Sequence, residues 1–265
     1  SARAAKTDAD WIVFCGVRVM AETAKLLNPD RRVVLPESGA GCDLAASIDP
    51  EGLRRMQAEH PGARTVMYIN CNVEVKALAD SICTSSIALK VLEAMPGDTV
   101  IFGPDRNLAA WVAKQSRKTV IPWNGYCPVH EKMDLPVIRE TMARFPGAYV
   151  IVHPECPPDV QAEADEILST SQMLARAGQV DAREFIIGTE IGLIEQLRKA
   201  YPGKTFHPAY EHTSCDDSCA CPFMKMTRLS SVARALETGE EEIRIAPGLQ
   251  AKALKAVERM LEIGK

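Results

Sequence analysis

Hydrophobic and polar positions divide the chain into short apolar runs separated by amphipathic segments. The apolar runs are nearly continuous, which is typical of strands that are buried on both faces of a parallel sheet. The amphipathic segments end at Gly or Pro, as helices commonly do. The predicted strands are residues 11–15, 32–35, 65–69, 81–83, 99–102, 118–122, 148–152, 166–168, 183–187 and 204–207. The predicted helices are residues 21–27, 53–59, 73–79, 86–94, 107–115, 135–144, 157–164, 171–176, 190–200, 227–237 and 248–263.

This pattern occurs more than once along the chain. Residues 66–127 and 150–221 share an apolar run ending in polar side chains, an Ala-Asp pair, a hydroxyl cluster, a second apolar run and a loop with cysteine. Residues 11–42 carry only the later part of this unit. A repeat longer than about 50 residues indicates a duplicated domain rather than a solenoid unit. The sequence therefore predicts an α/β fold with a pseudo-threefold arrangement of related three-layer αβα domains, with short parallel sheets and an incomplete first domain.

The domain boundaries follow from the repeat. Residues 1–48 are expected to form the partial first domain, 49–132 the second and 133–225 the third, with helices in 226–265 packing against the first. The chain lacks an initiator Met and half of one repeat, so we expect it to be truncated relative to its parent gene product.

Composition and charge exclude several classes of partner. The chain has 265 residues, 46% of them hydrophobic and 25% charged, and a formal net charge of -4. No basic surface for nucleic acid or an anionic membrane is indicated. No apolar run approaches the roughly 18 residues of a membrane span, and the N-terminus shows no signal-peptide segment. We therefore expect a cytoplasmic protein with neither nucleic-acid nor membrane partners.

Cysteine usage predicts a metal centre. The odd count of 9 cysteines argues against a disulfide framework and favours reduced thiols. Cys42 and Cys127 occupy equivalent loops of the repeat, and repeat spacing puts Cys215 nearest the third position, with Cys219 and Cys221 as alternatives. Three converging thiolates suit an iron–sulfur cluster with one iron lacking a protein ligand, and a Cys before Pro recurs in cluster-binding runs. A zinc site usually has four protein ligands, or three protein ligands and a water molecule.

Polar side chains follow the first strand of each full repeat. Tyr68 and Asn70 lie at the end of one such strand, and His153 and Glu155 follow its equivalent. Ligands of parallel sheets bind beyond the carboxyl ends of the strands. Glu155 can act as a general acid or base in a dry cavity. His153 could bind a substrate carboxylate or be a hydrogen-bonded structural histidine.

Ser85 and Thr170 are equivalent hydroxyl residues at two predicted helix starts. A helix N-terminus presents free N–H groups and positive dipole, so it attracts anions. Plain N-capping is the other interpretation. Their symmetric placement near the cysteines favours a phosphate or carboxylate ligand.

Taken together, several stretches of the chain resemble the quinolinate synthase A family. These are residues 14–17, 20–25, 40–42, 68–70, 75–77, 84–86, 104–108, 125–130, 153–155, 169–172 and 221–226. The resemblance extends over the whole chain. It implies condensation of iminoaspartate with dihydroxyacetone phosphate to quinolinate in NAD biosynthesis, and L-aspartate oxidase as the supplier of iminoaspartate.

The resemblance also implies three domains around a [4Fe–4S] cluster held by Cys42, Cys127 and Cys221. It selects Cys221 through the context Cys-Pro-Phe-Met, where spacing alone favoured Cys215. The open iron would act as a Lewis acid that holds the substrate and polarises a leaving hydroxyl.

The family resemblance further implies a role for each of the other candidate residues. Tyr68 and Asn70 would bind substrate, and Ser85 and Thr170 would hold its anionic groups. His153 and Glu155 would serve binding and proton transfer, so the expected catalytic residues are Glu155, His153 and Tyr68.

One departure from the family concerns the start of the chain. The His-Tyr-Tyr and Gly-Asp-Ser motifs of the family's first domain are absent from this sequence, so we expect weak or no turnover by this chain alone. Alternative functions are an iron–sulfur-dependent hydro-lyase acting on a hydroxy acid, a non-catalytic iron–sulfur binding protein, or a structural zinc protein.

Overall fold

The computed structural model describes residues 7–210 and 219–265. The strands are β1 (Trp11–Val13), β2 (Arg32–Val34), β3 (Arg64–Tyr68), β4 (Ser81–Cys83), β5 (Thr99–Gly103), β6 (Thr119–Pro122), β7 (Tyr149–Val152), β8 (Glu166–Ile167), β9 (Glu184–Gly188) and β10 (Thr205–Pro208). The helices are α1 (Arg18–Leu27), α2 (Asp43–Ala46), α3 (Pro50–Glu59), α4 (Val73–Lys76), α5 (Ala88–Ala94), α6 (Arg106–Ala113), α7 (Pro128–Glu131), α8 (Leu135–Arg144), α9 (Pro158–Glu163), α10 (Thr170–Ala177), α11 (Ile191–Ala200), α12 (Leu229–Thr238) and α13 (Pro247–Gly264).

The strands form short, wholly parallel sheets, as the apolar runs predicted. One sheet has the order β4-β3-β5-β6 and another the equivalent order β8-β7-β9-β10, while β1 and β2 form a two-stranded sheet. The prediction of an α/β fold with short parallel sheets is therefore confirmed. Both larger sheets have the same strand order because they are built from the two full repeats of the sequence.

The element boundaries differ from the prediction mainly where helices are short. The helix expected at 73–79 ends at Lys76, and the one expected at 86–94 begins with a 3₁₀ turn at Ser85–Ile87. The single-turn helices α2 and α7 were not predicted. One turn contains too few residues for a helical period to be visible in the sequence.

Side chains at the helix starts explain where several helices begin. Asp49, Asp105 and Asp134 each accept the backbone N–H three residues on, at the starts of α3, α6 and α8. Ser169 and Gln172 form a reciprocal capping box at the start of α10. Such caps satisfy N–H groups that have no partner within the helix.

The C-terminal region joins the two-stranded sheet of β1 and β2 to the sheet that contains β4. Ile243 donates its backbone N–H to the carbonyl of Val33, and Glu242 pairs with Val34 in an antiparallel bridge. Helix α12 contacts β1, whereas α13 packs on α4, β4 and α5 as well as on α1. Within the described part of the chain no helix is long and apolar enough to span a membrane. The division into three domains at 48, 132 and 225 stays a prediction.

Candidate active site

The strand ends and the loops that follow them enclose one cavity of about 770 Å³. Every site residue that the sequence predicted lines it. These are Cys42, Tyr68, Asn70, Ser85, Cys127, His153, Glu155, Thr170 and Cys221. Residues that are far apart in the chain converge here because the carboxyl ends of parallel strands lie on one edge of each sheet.

Three cysteines reach the cavity from loops of the three predicted units. Cys42, Cys127 and Cys221 are free thiols and each is half-buried. Burial, with a smaller contribution from negative charge on Cys127 and Cys221, raises the pKa of the Cys42 thiol to about 12. Three deprotonated thiols would therefore repel one another unless a cation lay between them. Soft thiolate ligands select iron–sulfur clusters or zinc, so the donor set fits the group that the resemblance implies.

Two of these cysteines immediately precede single-turn helices. Cys42 lies at the N-cap position of α2 and Cys127 at that of α7. Burial raises the pKa of the Cys127 thiol strongly, but the backbone N–H groups of Val129 and His130 oppose that shift. The N–H of Ala45 does the same at Cys42. Both sulfur atoms therefore face N–H groups that favour the thiolate needed for metal binding.

The loop that carries Cys127 is fixed by close contact with the first unit. The indole nitrogen of Trp123 donates to the carbonyl of Ser47 at 2.9 Å. A Cβ atom at Gly125 would lie 2.1 Å from Oγ of Ser47 and 2.6 Å from the carbonyl of Pro104. Only glycine can occupy position 125 without displacing this loop and its cysteine.

Glu155 is at the centre of a buried polar network. Tyr68 donates its hydroxyl to Oε1 of Glu155 at 2.8 Å, and Nδ1 of His130 lies 3.3 Å from Oε2. Burial disfavours the carboxylate, but His130, His153 and Tyr68 together hold the pKa of Glu155 below its ordinary value. Burial likewise disfavours the imidazolium of His130, yet attraction to Glu155 raises the pKa of that ring above its ordinary value. The network therefore favours an ionised Glu155 carboxylate and stabilises the protonated form of the His130 ring.

His153 has a different protonation state from His130. Its Nδ1 accepts the backbone N–H of Glu155 at 3.3 Å, and burial lowers the pKa of the ring to about 4. The ring of His153 stacks on that of His130 with centroids 4.9 Å apart. Since Nδ1 is an acceptor, the proton of the neutral ring is assigned to Nε2. His153 can therefore donate a hydrogen bond from Nε2 to a ligand.

A second layer of polar residues lies behind Glu155. Asn107 donates Nδ2 to the carbonyl of Glu155 at 3.0 Å and to Oε2 of Glu131 at 3.0 Å, and Arg106 pairs with Glu131. Asp105 is fully buried, and burial together with Glu155 raises the pKa of its carboxyl to about 8. Asn107, from the second repeat, thus fixes the backbone of the loop in the third repeat that carries Glu155.

The two predicted hydroxyls differ in exposure and in role. Ser85 is buried near the hydroxyl of Tyr68, at the start of the 3₁₀ turn. Thr170 is exposed and is the first residue of α10, whereas Ser169 supplies the cap. The hydroxyl of Thr170 is therefore not used for N-capping and faces the cavity, together with Ser171.

Sequence reasoning missed several residues of this site. His130 is not among the predicted site residues, but it is buried, lines the cavity and contacts Glu155. Thr189, Glu190 and Lys225 line the cavity as well. The available signal for His130 was its spacing of three residues from Cys127, which puts both on one face of a helical turn. Cys215 lies outside the described residues.

Nearly the whole chain is similar to known quinolinate synthases. The family model described as quinolinate synthetase A protein matches residues 1–262. The quinolinate synthase of Dehalococcoides mccartyi (strain CBDB1) is 45% identical over 261 residues, which are 98% of this chain and 84% of that protein. That of Thermodesulfovibrio yellowstonii is 44% identical over 264 residues, covering 99% and 85%. That of Synechocystis sp. is 42% identical over 262 residues, covering 98% and 82%.

Proposed function

Because the chain belongs to the quinolinate synthetase A family, we propose that it is a quinolinate synthase that condenses iminoaspartate with dihydroxyacetone phosphate. The observation that carries the proposal is the convergence of all the predicted site residues on one cavity. The cavity combines the hydroxyls of Ser85 and Thr170, a buried carboxylate–histidine network and three thiols. A condensation with loss of water needs groups that bind the anionic substrates, groups that transfer protons and an electrophilic centre. In this proposal the hydroxyls, the carboxylate–histidine network and a metal centre on the thiols supply these three in turn.

The proposal includes a [4Fe–4S] cluster held by Cys42, Cys127 and Cys221. When bound, the cluster supplies a Lewis-acidic iron that activates oxygen leaving groups. The donor set supports it because three free thiols from separate loops line one cavity, and two of them face backbone N–H groups.

The protein side chains would supply proton transfer and positioning. Glu155 is held ionised and can take a proton from the substrate, while the hydroxyl of Tyr68 and the ring of His130 keep it in place. His153 would donate from Nε2 to a substrate oxygen. Asn70 would contribute its amide to substrate binding.

The anionic groups of the substrates would bind at the hydroxyl side of the cavity. Thr170 lies in the first turn of α10, where backbone N–H groups and the helix dipole favour negative charge. Ser85 lies deeper, next to Tyr68. We assign the phosphate to the Thr170 side because that side is exposed and can admit a bulky dianion. A cytoplasmic location and supply of iminoaspartate by L-aspartate oxidase are further parts of the proposal that rest on the family resemblance.

A second ligand set in the same cavity provides the competing hypothesis. Ligand atoms of Cys127, His130 and Glu155 lie within 4.8 Å of one another, which would suit a single zinc ion. His130 and Glu155 are already paired with each other, however, and zinc binding would leave Cys42 and Cys221 without a role. Metal and sulfide analysis separates the two hypotheses.

Anaerobic reconstitution of the chain with iron and sulfide tests the proposal. We expect near-equal amounts of bound iron and sulfide, a visible absorption band and at most weak formation of quinolinate from iminoaspartate and dihydroxyacetone phosphate, because the His-Tyr-Tyr and Gly-Asp-Ser motifs are absent from this sequence. Cys42→Ser, Cys127→Ser and Cys221→Ser should each lose the cluster. Cys219→Ser is the matched control, since Cys219 is buried two residues before Cys221 and donates to the carbonyl of Tyr210.

Two results would contradict the proposal in different ways. Binding of zinc without sulfide would exclude the cluster. Loss of the cluster in Cys215→Ser with retention in Cys221→Ser would show that repeat spacing, not the Cys-Pro-Phe-Met context, identifies the third ligand.

A further inference from the structure

The loop that carries Cys221 is attached to the N-terminus of α11 through one side chain. Oε1 of Glu190 accepts the backbone N–H of Cys221 at 3.2 Å. Oε2 of the same carboxylate accepts the N–H of Gly192 at 2.7 Å and so caps α11. The backbone of Ile191 adds a second link by donating to the carbonyl of Cys219 at 3.1 Å. Glu190 therefore fixes the position of Cys221 relative to a regular helix.

A lysine from the same loop completes this arrangement. Nζ of Lys225 lies 3.1 Å from Oε1 of Glu190, and the Lys225 side chain is 46% exposed whereas that of Glu190 is 11% exposed. The backbone N–H of Lys225 donates to the carbonyl of Cys221 at 3.2 Å. The buried carboxylate thus has a cation beside it, and both ends of the Cys221–Lys225 turn are held by Glu190.

The space around this pair is limited. A Cβ atom at Gly192 would lie 2.7 Å from Oε2 of Glu190 and 3.2 Å from Nζ of Lys225. Glycine at 192 lets the carboxylate approach the first N–H groups of α11. The site is therefore shaped around the carboxylate of Glu190.

We propose that Glu190 is a positioning residue for the cluster ligand Cys221, and that the paired charges of Glu190 and Lys225 tune the electrostatic environment of the cluster. The inference rests on the proposed function, because it needs Cys221 to be a ligand. Groups that orient a metal ligand typically change metal affinity by about 10–100-fold when they are removed. Charge and hydrogen bonding near a cluster also set its reduction potential.

Two substitutions together separate the positioning role of the Glu190 carboxylate from the role of its charge. Glutamine has nearly the same shape, but its NH2 group replaces one of the two oxygens and would face the backbone N–H of either Cys221 or Gly192, so one of the two hydrogen bonds is lost. It also removes the negative charge that faces Lys225. Lys225→Met removes the positive charge and leaves both backbone hydrogen bonds of Glu190 in place. Glu195→Gln is the matched control, since Glu195 is an exposed residue of the same helix.

The experiment measures iron release to a chelator and the midpoint potential of the anaerobically reconstituted chain and its variants. We expect Glu190→Gln to release iron about 10-fold faster than the unmodified chain. Glu190→Gln should raise the midpoint potential, because an anion is lost, and Lys225→Met should lower it. Shifts of the midpoint potential in opposite directions would indicate an electrostatic role, since a less stable fold would not shift the potentials of the two variants in opposite directions. Glu195→Gln should match the unmodified chain in both measurements.

The outcomes separate this inference from the proposed function. If Cys221→Ser keeps its iron and sulfide, Cys221 is not a ligand, and both the ligand set and the role of Glu190 are wrong. If Cys221→Ser loses the cluster but Glu190→Gln matches Glu195→Gln in iron release and potential, the ligand set stands and the positioning role is overturned. Potential shifts of the same sign in Glu190→Gln and Lys225→Met would overturn the electrostatic part.

Discussion

Glu155 has a protonation state that its burial alone would not give. A carboxyl with 3% of its surface exposed would ordinarily be neutral, since burial penalises charge. The hydroxyl of Tyr68 and the ring of His130 reverse this by stabilising the anion. Hydrogen bonds to charged groups contribute about 1.5–3 kcal/mol each, which is enough to decide whether Glu155 is held ready as a base.

Tyr68→Phe tests this arrangement at a single residue. Loss of the hydroxyl should lower the weak quinolinate turnover of this chain by roughly 10-fold to 100-fold, because Glu155 loses the hydrogen bond that orients its carboxylate for proton transfer. The measurement is the steady-state rate at equal cluster content. Tyr149→Phe is the control, since Tyr149 lies at the start of β7, at the opposite end of that strand from His153. Equal turnover in the two variants would show that the Tyr68 hydroxyl has no part in the chemistry.

Helix starts are the elements that present ligand-binding groups to the cavity. Helix α10 begins with Thr170 and is capped by Ser169 and Gln172. Helix α8 is capped by the exposed Asp134, and no residue of α8 lines the cavity. Both caps are side-chain acceptors at a helix start, but only the cap of α10 lies beside the cavity. Removal of each cap in turn therefore distinguishes an effect on substrate binding from an effect on stability.

Ser169→Ala and Asp134→Ala should each lower the free energy of unfolding by about 1 kcal/mol, which is the usual cost of losing an N-cap. Only Ser169→Ala should raise the KM for dihydroxyacetone phosphate, because only α10 carries Thr170. Urea denaturation and initial-rate measurements on both variants check this. A similar rise in KM for Asp134→Ala would indicate that general destabilisation, not the α10 terminus, weakens phosphate binding.

The sequence predicted elements whose signal is local. The strand at 81–83 and the helix at 135–144 were located to the residue, because each is an apolar or amphipathic stretch bounded by clear turn or capping residues. Helices α2 and α7 were missed because a single turn has no visible period. The pairing of Glu242 with Val34 was also missed, since it joins residues that are remote in the chain.

The candidate site was predictable to a similar degree and for a similar reason. The repeat brought Cys42 and Cys127 to equivalent positions, and both line the cavity. The repeat gave no sign of His130, whose role depends on the distance of its ring from Glu155. Glu190 depends on contacts across loops in the same way, and such contacts have no pattern along the chain.

At the scale of the whole molecule, two buried charged side chains of opposite sign lie where the first and second units meet. Glu22 of α1 accepts the backbone N–H of Val73 at 3.1 Å, and Lys76 of α4 is fully buried and donates to the carbonyl of Cys71. Burial raises the pKa of Glu22, and the ammonium group of Lys76 opposes that shift. The pair fixes the segment after β3, which carries Asn70 into the cavity.

Lys76→Met should destabilise the chain, because it removes the buried ammonium group that donates to the carbonyl of Cys71 and favours the Glu22 carboxylate. Glu22 then keeps only Arg18, a half-exposed side chain whose Nε lies 3.6 Å from Oε1 of Glu22. Removal of one partner of a buried pair typically costs about 3–5 kcal/mol, and Arg18 should make the cost smaller here, whereas replacement of both charges by neutral groups costs much less. We therefore expect the double variant Glu22→Gln/Lys76→Met to be more stable than Lys76→Met alone, with a coupling energy of at least about 1 kcal/mol. Urea denaturation of the four chains of this cycle measures the coupling energy.

Lys90→Met is the control. Because Lys90 is exposed on α5, this variant should change the free energy of unfolding by no more than about 0.5 kcal/mol. Losses that simply add in the double variant would mean that the two charges act independently and do not hold the units together.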